Sequence, residues 1–125
     1  MPSVIIEVRK PYSREEESRL LDAVYQALVT AFGIQANERT LRLWVHEPHR
    51  YLADPDLANP ELHTHIAIDT FSGRSVDAKR TLYTEIVTRL EALGIPRNHV
   101  EILIRDIPRE NWGIRGGQAG CDIEQ

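Results

Sequence analysis

The chain has one cysteine, Cys121, so no disulfide can form within it and the fold must be held by its core. A lone thiol fits a reducing compartment. No apolar stretch approaches the roughly 20 residues of a membrane span. The opening MPSVIIEV also lacks the basic leader and extended apolar segment of a secretory signal. A cytoplasmic protein with no membrane role is expected, with residue 2 near the mature start. Positive charge is in short supply as well: 15 Lys and Arg against 19 Asp and Glu leave a formal net charge of −4, which offers no electrostatic footprint for nucleic acid. His63 and His65 stand two apart and would share one face of a strand, a spacing that suggests metal. No third ligand lies within reach in the sequence, so no metal is expected. A hydrophobic content of 42% over 125 residues is enough for one core, and it argues against global disorder.

The segment SVIIEV is short and β-branched and reads as a buried strand, stopped by RKPYS. Ser13 and Glu16 then form a capping box, S-x-x-E, and Leu20, Leu21, Val24, Ala27, Leu28, Ala31 and Phe32 recur at helical spacing. Gly33 supplies the C-terminal cap. Leu41, Leu43 and Val45 alternate with Arg42, Trp44 and His46 in a second strand. Between Glu47 and Leu62, Pro48, Pro55 and Pro60 break any regular element, so a long connecting loop is expected.

The pattern then starts again. HTHIAIDTF reads as a strand, SGR as a turn, and SVDAKRTLYTEIVTRLEAL as a helix stopped by Gly94. VEILIR is a fourth strand, followed by a tail, DIPRENWGIRGGQAG, that reads as irregular. The helix ends align as Phe32-Gly33-Ile34 and Leu93-Gly94-Ile95, about sixty residues apart, which marks an internal repeat. The expected architecture is α+β: one domain of tandem β-α-β repeats, about 2–60 and 61–118 plus the tail, forming a four-stranded sheet with two helices on one face. The other sheet face would lie bare in a monomer, which points to self-association. A ferredoxin-like binding module has the same element order, and topology alone does not separate the two.

Local motifs do separate them. The run FSGRSVDAKRTLYTEIVTRLEALGIPRNHVEILIRDIPRENWGIRGG resembles a whole subunit of the 4-oxalocrotonate tautomerase family, in its GRS turn, its GIP loop and its tail aromatic followed by Gly-Ile and glycines. The half that begins PSVIIEV resembles a second copy. A chain carrying both resembles the fused members of the tautomerase superfamily, particularly the malonate semialdehyde decarboxylase group. The resemblance implies a homotrimer, no metal or cofactor, a small carboxylate substrate, and a catalytic amine on Pro2 once Met1 is removed.

An N-terminal proline is a secondary amine that becomes a base when burial and nearby cations disfavour its protonated form. Held neutral, it can move a proton between the carbon and oxygen of an enol and a ketone. The second copy starts near Thr64, inside the chain, so one such site per chain is expected. By resemblance, Arg74 of GRS is the residue that binds a substrate carboxylate. Glu38 falls where the decarboxylase group carries an acidic residue that orients water. Arg42, Arg39, Trp112 and Ile114 are the further substrate-binding candidates, with Trp112 as an apolar wall.

Two departures shape the expectation. The decarboxylase pattern has two arginines two residues apart, whereas Ser72 stands two before Arg74. Tyr12 occupies a turn position that is arginine in many relatives. Keto–enol tautomerisation of a substrate with one carboxylate is therefore expected. The alternatives are a decarboxylase- or dehalogenase-like lyase with Pro2 as general acid, and a non-enzymatic trimeric module.

Overall fold

The computed structural model describes residues 2–123. Met1, whose removal the amine chemistry requires, lies outside the described residues. The chain folds as β1 (Ser3–Val8), α1 (Arg14–Phe32), β2 (Thr40–Val45), β3 (Thr64–Phe71), α2 (Val76–Glu91) and β4 (Val100–Ile107). The long connection before β3 contains two short 3-10 turns, Pro48–Arg50 and Pro60–Leu62, each opened by a proline whose missing N–H would have no partner there anyway.

Both helices begin as the sequence indicates. The Ser13 hydroxyl accepts the Glu16 N–H at 3.1 Å, and the Glu16 carboxylate accepts the Ser13 N–H at 2.9 Å. α1 ends at Gly33, whose φ of 64° is left-handed and whose N–H donates to the Val29 carbonyl at 2.9 Å. α2 is capped by Ser75 but stops at Glu91, earlier than the apolar spacing suggests. There the chain turns through Gly94, at φ 94°, so that the Ile95 N–H reaches the Leu90 carbonyl at 3.0 Å and closes the end of the helix.

The sheet order is β2-β1-β3-β4, with β1 parallel to β2, β3 parallel to β4, and β1 antiparallel to β3. Each β-α-β half thus contributes a parallel pair, and the halves meet along the central antiparallel seam. Val4, Ile6, Val8, Ile66 and Ile68 on one face are buried against Leu20, Val24, Leu28, Leu82, Ile86 and Leu90 of the two helices. Each such side chain contributes roughly 1.5–3 kcal/mol by leaving water.

The opposite face carries no helix. One row across it reads Arg42, Ile5, Ala67, Leu103, and the next reads Trp44, Glu7, His65, Glu101. Trp44 and Leu103 remain 48% and 46% exposed, so this face keeps large apolar groups in contact with water. No helix among the described residues is long and apolar enough to cross a membrane.

The tail is more ordered than its composition suggests. Gly113–Ile114 (β5) and Gln118–Ala119 (β6) pair as a small antiparallel hairpin around Arg115, Gly116 and Gly117. All three loop residues have positive φ, 50°, 81° and 92°, so the paired glycines make the tight return possible.

Candidate active site

The site lies where β1 begins. Parallel pairing sets Ser3 opposite Thr40, which brings the Glu38–Arg39 step alongside Pro2. Antiparallel pairing sets Ser3 opposite Asp69, so the next pair along is Pro2 and Thr70. Pro2 is buried, as are Thr70 and Phe71 at the end of β3. One strand start and one strand end therefore meet at a single corner.

The turn after β3 supplies the corner's central cation. Gly73, at φ 118°, bends the chain, and Arg74 is the last residue before the Ser75 cap of α2. Its Nη1 donates to the Thr70 hydroxyl at 3.0 Å, and its guanidinium carbon stands 4.4 Å from the centre of the Phe32 ring. Phe32 ends α1, so this cation–π contact ties the two halves together across the corner. Burial pulls the Arg74 pKa down; the Glu38 carboxylate opposes that shift and Arg109 adds to it. The group remains a cation at any physiological pH.

Around Arg74 opens a cavity of about 460 Å³. Phe32, Gly33 and Ile34 bound it from the helix end, Glu38 from the following loop, and Arg109, Ile114 and Arg115 from the tail. Glu38 is half-buried and fixed, because its carboxylate accepts the Gln35 N–H at 3.2 Å. Phe71 forms the floor: the Arg109 guanidinium carbon lies 4.3 Å from its ring centre, and Trp112 meets it edge-on at 5.2 Å. Gly120, below them, donates its N–H to the Trp112 carbonyl at 2.8 Å. A Cβ on Gly120 would sit 2.7 Å from the Arg109 carbonyl oxygen, so the wall closes only over glycine.

Of the residues singled out in the sequence, Glu38, Arg74 and Ile114 line this cavity. Pro2 is buried, one residue before the Ser3–Asp69 pair, and does not itself line the cavity. Trp112 stands behind Phe71 and supports the apolar floor. Arg39 and Arg42 lie elsewhere. The Arg39 guanidinium covers the Tyr25 ring at 4.6 Å in a separate groove on α1, and Arg42 donates to the Ser3 hydroxyl at 3.3 Å on the bare sheet face. Arg109, Arg115, Phe32 and Phe71 were not anticipated as lining residues. Phe32 within the Phe32-Gly33-Ile34 repeat, Phe71 just before the SGR turn and Arg115 within WGIRGG each adjoin a motif visible in the sequence.

The histidines gather at the other end of the sheet. The His63 Nδ1 pairs with the Tyr51 hydroxyl at 2.7 Å, and His65 bridges towards Glu101 at 3.2 Å. Burial, with Glu7 and Glu101 adding to it, pushes the Tyr51 hydroxyl up to about 12, and burial also pulls the His63 pKa down. Both sites face away from the arginine cavity.

Known proteins resemble this chain in sequence and in fold. A family described as tautomerase enzyme matches residues 38–115, a stretch that holds Glu38, Arg74, Arg109 and Arg115. The 2-hydroxymuconate tautomerase of Comamonas testosteroni is 42% identical over 48 residues, which are 38% of this chain and 76% of that protein. Its counterpart from Pseudomonas putida is 38% identical over 48 residues, with the same coverage of 38% and 76%. Among solved structures, FG41 malonate semialdehyde decarboxylase inhibited by 3-bromopropiolate superposes with a TM-score of 0.82 at 28% identity, over 93% of this chain and 91% of that one. A fused 4-OT asymmetric trimer superposes with a TM-score of 0.85 at 21% identity, over 96% and 97%, and bears on the fold alone.

Proposed function

Because the chain belongs to the tautomerase family, we propose that it is a keto–enol tautomerase of small 2-keto and 2-hydroxy-enoate acids, with Pro2 as the general base. The observation that carries this reading is the position of Arg74, which is hydrogen-bonded to Thr70 beside the buried Pro2 and opens onto the cavity.

Once Met1 is removed, Pro2 carries a free secondary amine. Burial disfavours the ammonium form, and cations flank this corner, Arg74 on Thr70 and Arg42 on Ser3. The neutral amine takes the proton from the 2-hydroxyl of the enol. The O–H electron pair becomes the carbonyl π bond, and the carbon–carbon double bond takes a proton back from the Pro2 ammonium, so no atom is gained or lost. Arg74 holds the substrate carboxylate and stabilises the charge that develops on the oxygen. Phe71, Phe32 and Ile114 exclude water from one side.

The test is the ultraviolet loss of phenylenolpyruvate by the native chain and by Pro2→Ala. Proton transfer by a positioned group contributes about 10²–10⁴-fold, so a fall of that size in kcat/KM is expected. Equal rates would end the proposal, and so would an intact mass showing Met1 retained on active protein.

The placement of Glu38 in the cavity supports a second reading, a lyase in which Glu38 orients water and protonated Pro2 is the acid. The pH-rate profile separates the two. A base role makes the rate rise through the amine's pKa, and an acid role makes it fall.

We also assign a homotrimer as the working assembly, its bare sheet faces turned towards one another. The exposed Trp44 and Leu103 support this, as do neighbours that are themselves fused 4-OT trimers.

A further inference from the structure

The connector between the two halves is tied down by few groups. Over residues 47–61 no residue is fully buried, and Leu52 stands 91% exposed. Beyond the bonds of its own short turns, the hydrogen bonds that hold it to the rest of the fold among the described residues come from the side chains of Arg9, His63 and His99. Arg9 donates to the Pro48 and Pro60 carbonyls, both at a long 3.4 Å. His63 holds the Tyr51 hydroxyl, and His99 Nε2 accepts the Asn59 N–H at 3.1 Å. A segment with no buried core residue and so few bonds belongs to the low-stability end of a fold.

His99 is the most demanding of these ties. It ends the 3-10 turn Arg97–His99 and is only 1% exposed. A backbone N–H can only donate, so the Nε2 that receives Asn59 presents its lone pair. The single ring proton then lies on Nδ1 and goes to the Asn98 Oδ1 at 2.7 Å. Only the neutral ring makes both bonds. A second proton, on Nε2, would set N–H against N–H in a position closed to solvent. The closed connector and the imidazolium exclude one another, so proton uptake by this ring draws the connector towards an open form.

The other ionisable groups at this end of the sheet do not share the constraint. Glu7 on β1 meets His46, just past β2, at 2.9 Å, and His65 on β3 lies 3.2 Å from Glu101 on β4. An imidazolium keeps those carboxylate contacts. His63 can donate to the Tyr51 oxygen as well as accept from it. Burial pulls the His63 pKa down, with His65, His99 and Arg9 adding to the shift and Glu101 opposing it, which again favours a neutral ring under the closed connector. On the helix side of the turn, Arg97 is taken up by Glu91 at 3.2 Å.

We propose that the connector is a proton-released strap, latched at Asn59 by the neutral His99 ring and freed when that ring takes a second proton. The strap is closed at neutral pH and opens on acidification, which uncovers His99 at the start of β4. The device is separate from the arginine cavity and does not depend on the reaction assigned to it.

The experiment is hydrogen exchange of the full chain, read by mass spectrometry between about pH 7.5 and about pH 5, the range over which imidazole takes its proton. Rates are corrected for the intrinsic pH dependence of exchange. Connector peptides should lose about tenfold in protection across that range, the effect of one hydrogen bond given up, while peptides of β1 and α1 hold theirs. His99→Gln offers a side-chain carbonyl that accepts from Asn59 and does not titrate, so its connector should stay protected at both ends of the range. His63→Gln leaves the latch in place and should keep the native pH dependence.

A second measurement covers the case in which His99→Gln folds poorly. In the native chain the His99 ring resonance, followed by NMR, should titrate in step with the loosening of the connector. Three results would overturn the latch: a native connector equally protected at both pH values, loosening of native size in a folded His99→Gln, or a His99 resonance out of step with the connector.

Discussion

Arg74 and Thr70 are joined by a 3.0 Å hydrogen bond from guanidinium to hydroxyl, and Thr70 is fully buried on the strand that pairs with the start of β1. The bond converts a turn arginine into a positioned one. Thr70→Val keeps the shape and removes the acceptor, leaving Arg74 held only by its contact with Phe32. Water can reach the half-buried guanidinium, so little stability should be lost. A fall of about five- to tenfold in kcat/KM is expected, equivalent to a loss of about 1 kcal/mol, with the urea midpoint nearly unchanged. Native-like kinetics in Thr70→Val would show that the bond does not position Arg74.

Gly120 tests the cavity wall. An added methyl would meet the Arg109 carbonyl oxygen at 2.7 Å and the Phe71 ring at 3.0 Å, and backbone cannot swing aside as a side-chain tip can. Gly120→Ala should lose about 1–3 kcal/mol in urea denaturation and weaken carboxylate binding, because Phe71 carries Arg109. Gly33→Ala is the contrast. Nothing lies within 4 Å of its added methyl, so only the left-handed φ of 64° is penalised. About 1–2 kcal/mol should be lost, with Phe71 and Arg109 left undisplaced.

The capping box of α1 gives a pH dependence whose sign can be worked out. The hydrogen bonds from Ser13 hold the Glu16 carboxyl below its ordinary range, with Lys10 and Arg19 adding to the effect. A carboxyl whose folded pKa is depressed stabilises the fold above its unfolded pKa, about 4.3 for glutamate, and that contribution disappears as pH falls through the lower folded value. Glu16→Ala should therefore destabilise the fold near neutrality, and its difference from the native chain should shrink in urea melts taken below about pH 4. A gap that stayed constant with pH would mean that Glu16 contributes nothing through this cap.

Assembly is tested on the bare sheet face. Leu103 lies in the row Arg42, Ile5, Ala67, Leu103 and is 46% exposed. Leu103→Glu adds a charge where the trimer would bury an apolar group, so sedimentation should show dissociation at micromolar concentration while circular dichroism keeps its native form. A native chain that sediments as a monomer would overturn the trimer.

The helix starts and the repeat were legible because each rests on a few adjacent residues: Ser13 with Glu16, and the Gly33 and Gly94 stops. Arg74 was legible for the same reason, since its turn, GRS, is local. Arg109 was not, because it reaches the cavity only after β4 has paired with β3 and the tail has folded back over Phe71. The tail reads as irregular because two-residue strands have too little periodicity to be seen, and the hairpin that Gly113–Ile114 and Gln118–Ala119 form depends on the positive φ of Arg115, Gly116 and Gly117. Arg39 and Arg42 show the converse. They are close to Pro2 along the sheet, yet alternation sends Arg42 to the face without helices, and Arg39 turns outward over Tyr25.

The antiparallel seam between β1 and β3 gives the molecule an internal control. It relates Tyr12 to Arg74, each the residue before a serine cap, and Leu93-Gly94-Ile95 to Phe32-Gly33-Ile34. The cleft at Tyr12, about 220 Å³, therefore lies at the pseudo-equivalent corner but has none of the three arginines of the other cavity. Matched substitutions at paired positions, such as Ser13→Ala with Ser75→Ala at the two hydroxyl-capped helix starts, apply the same insult in two chemical settings. Whatever the pair shares is owed to folding, and whatever differs is owed to chemistry.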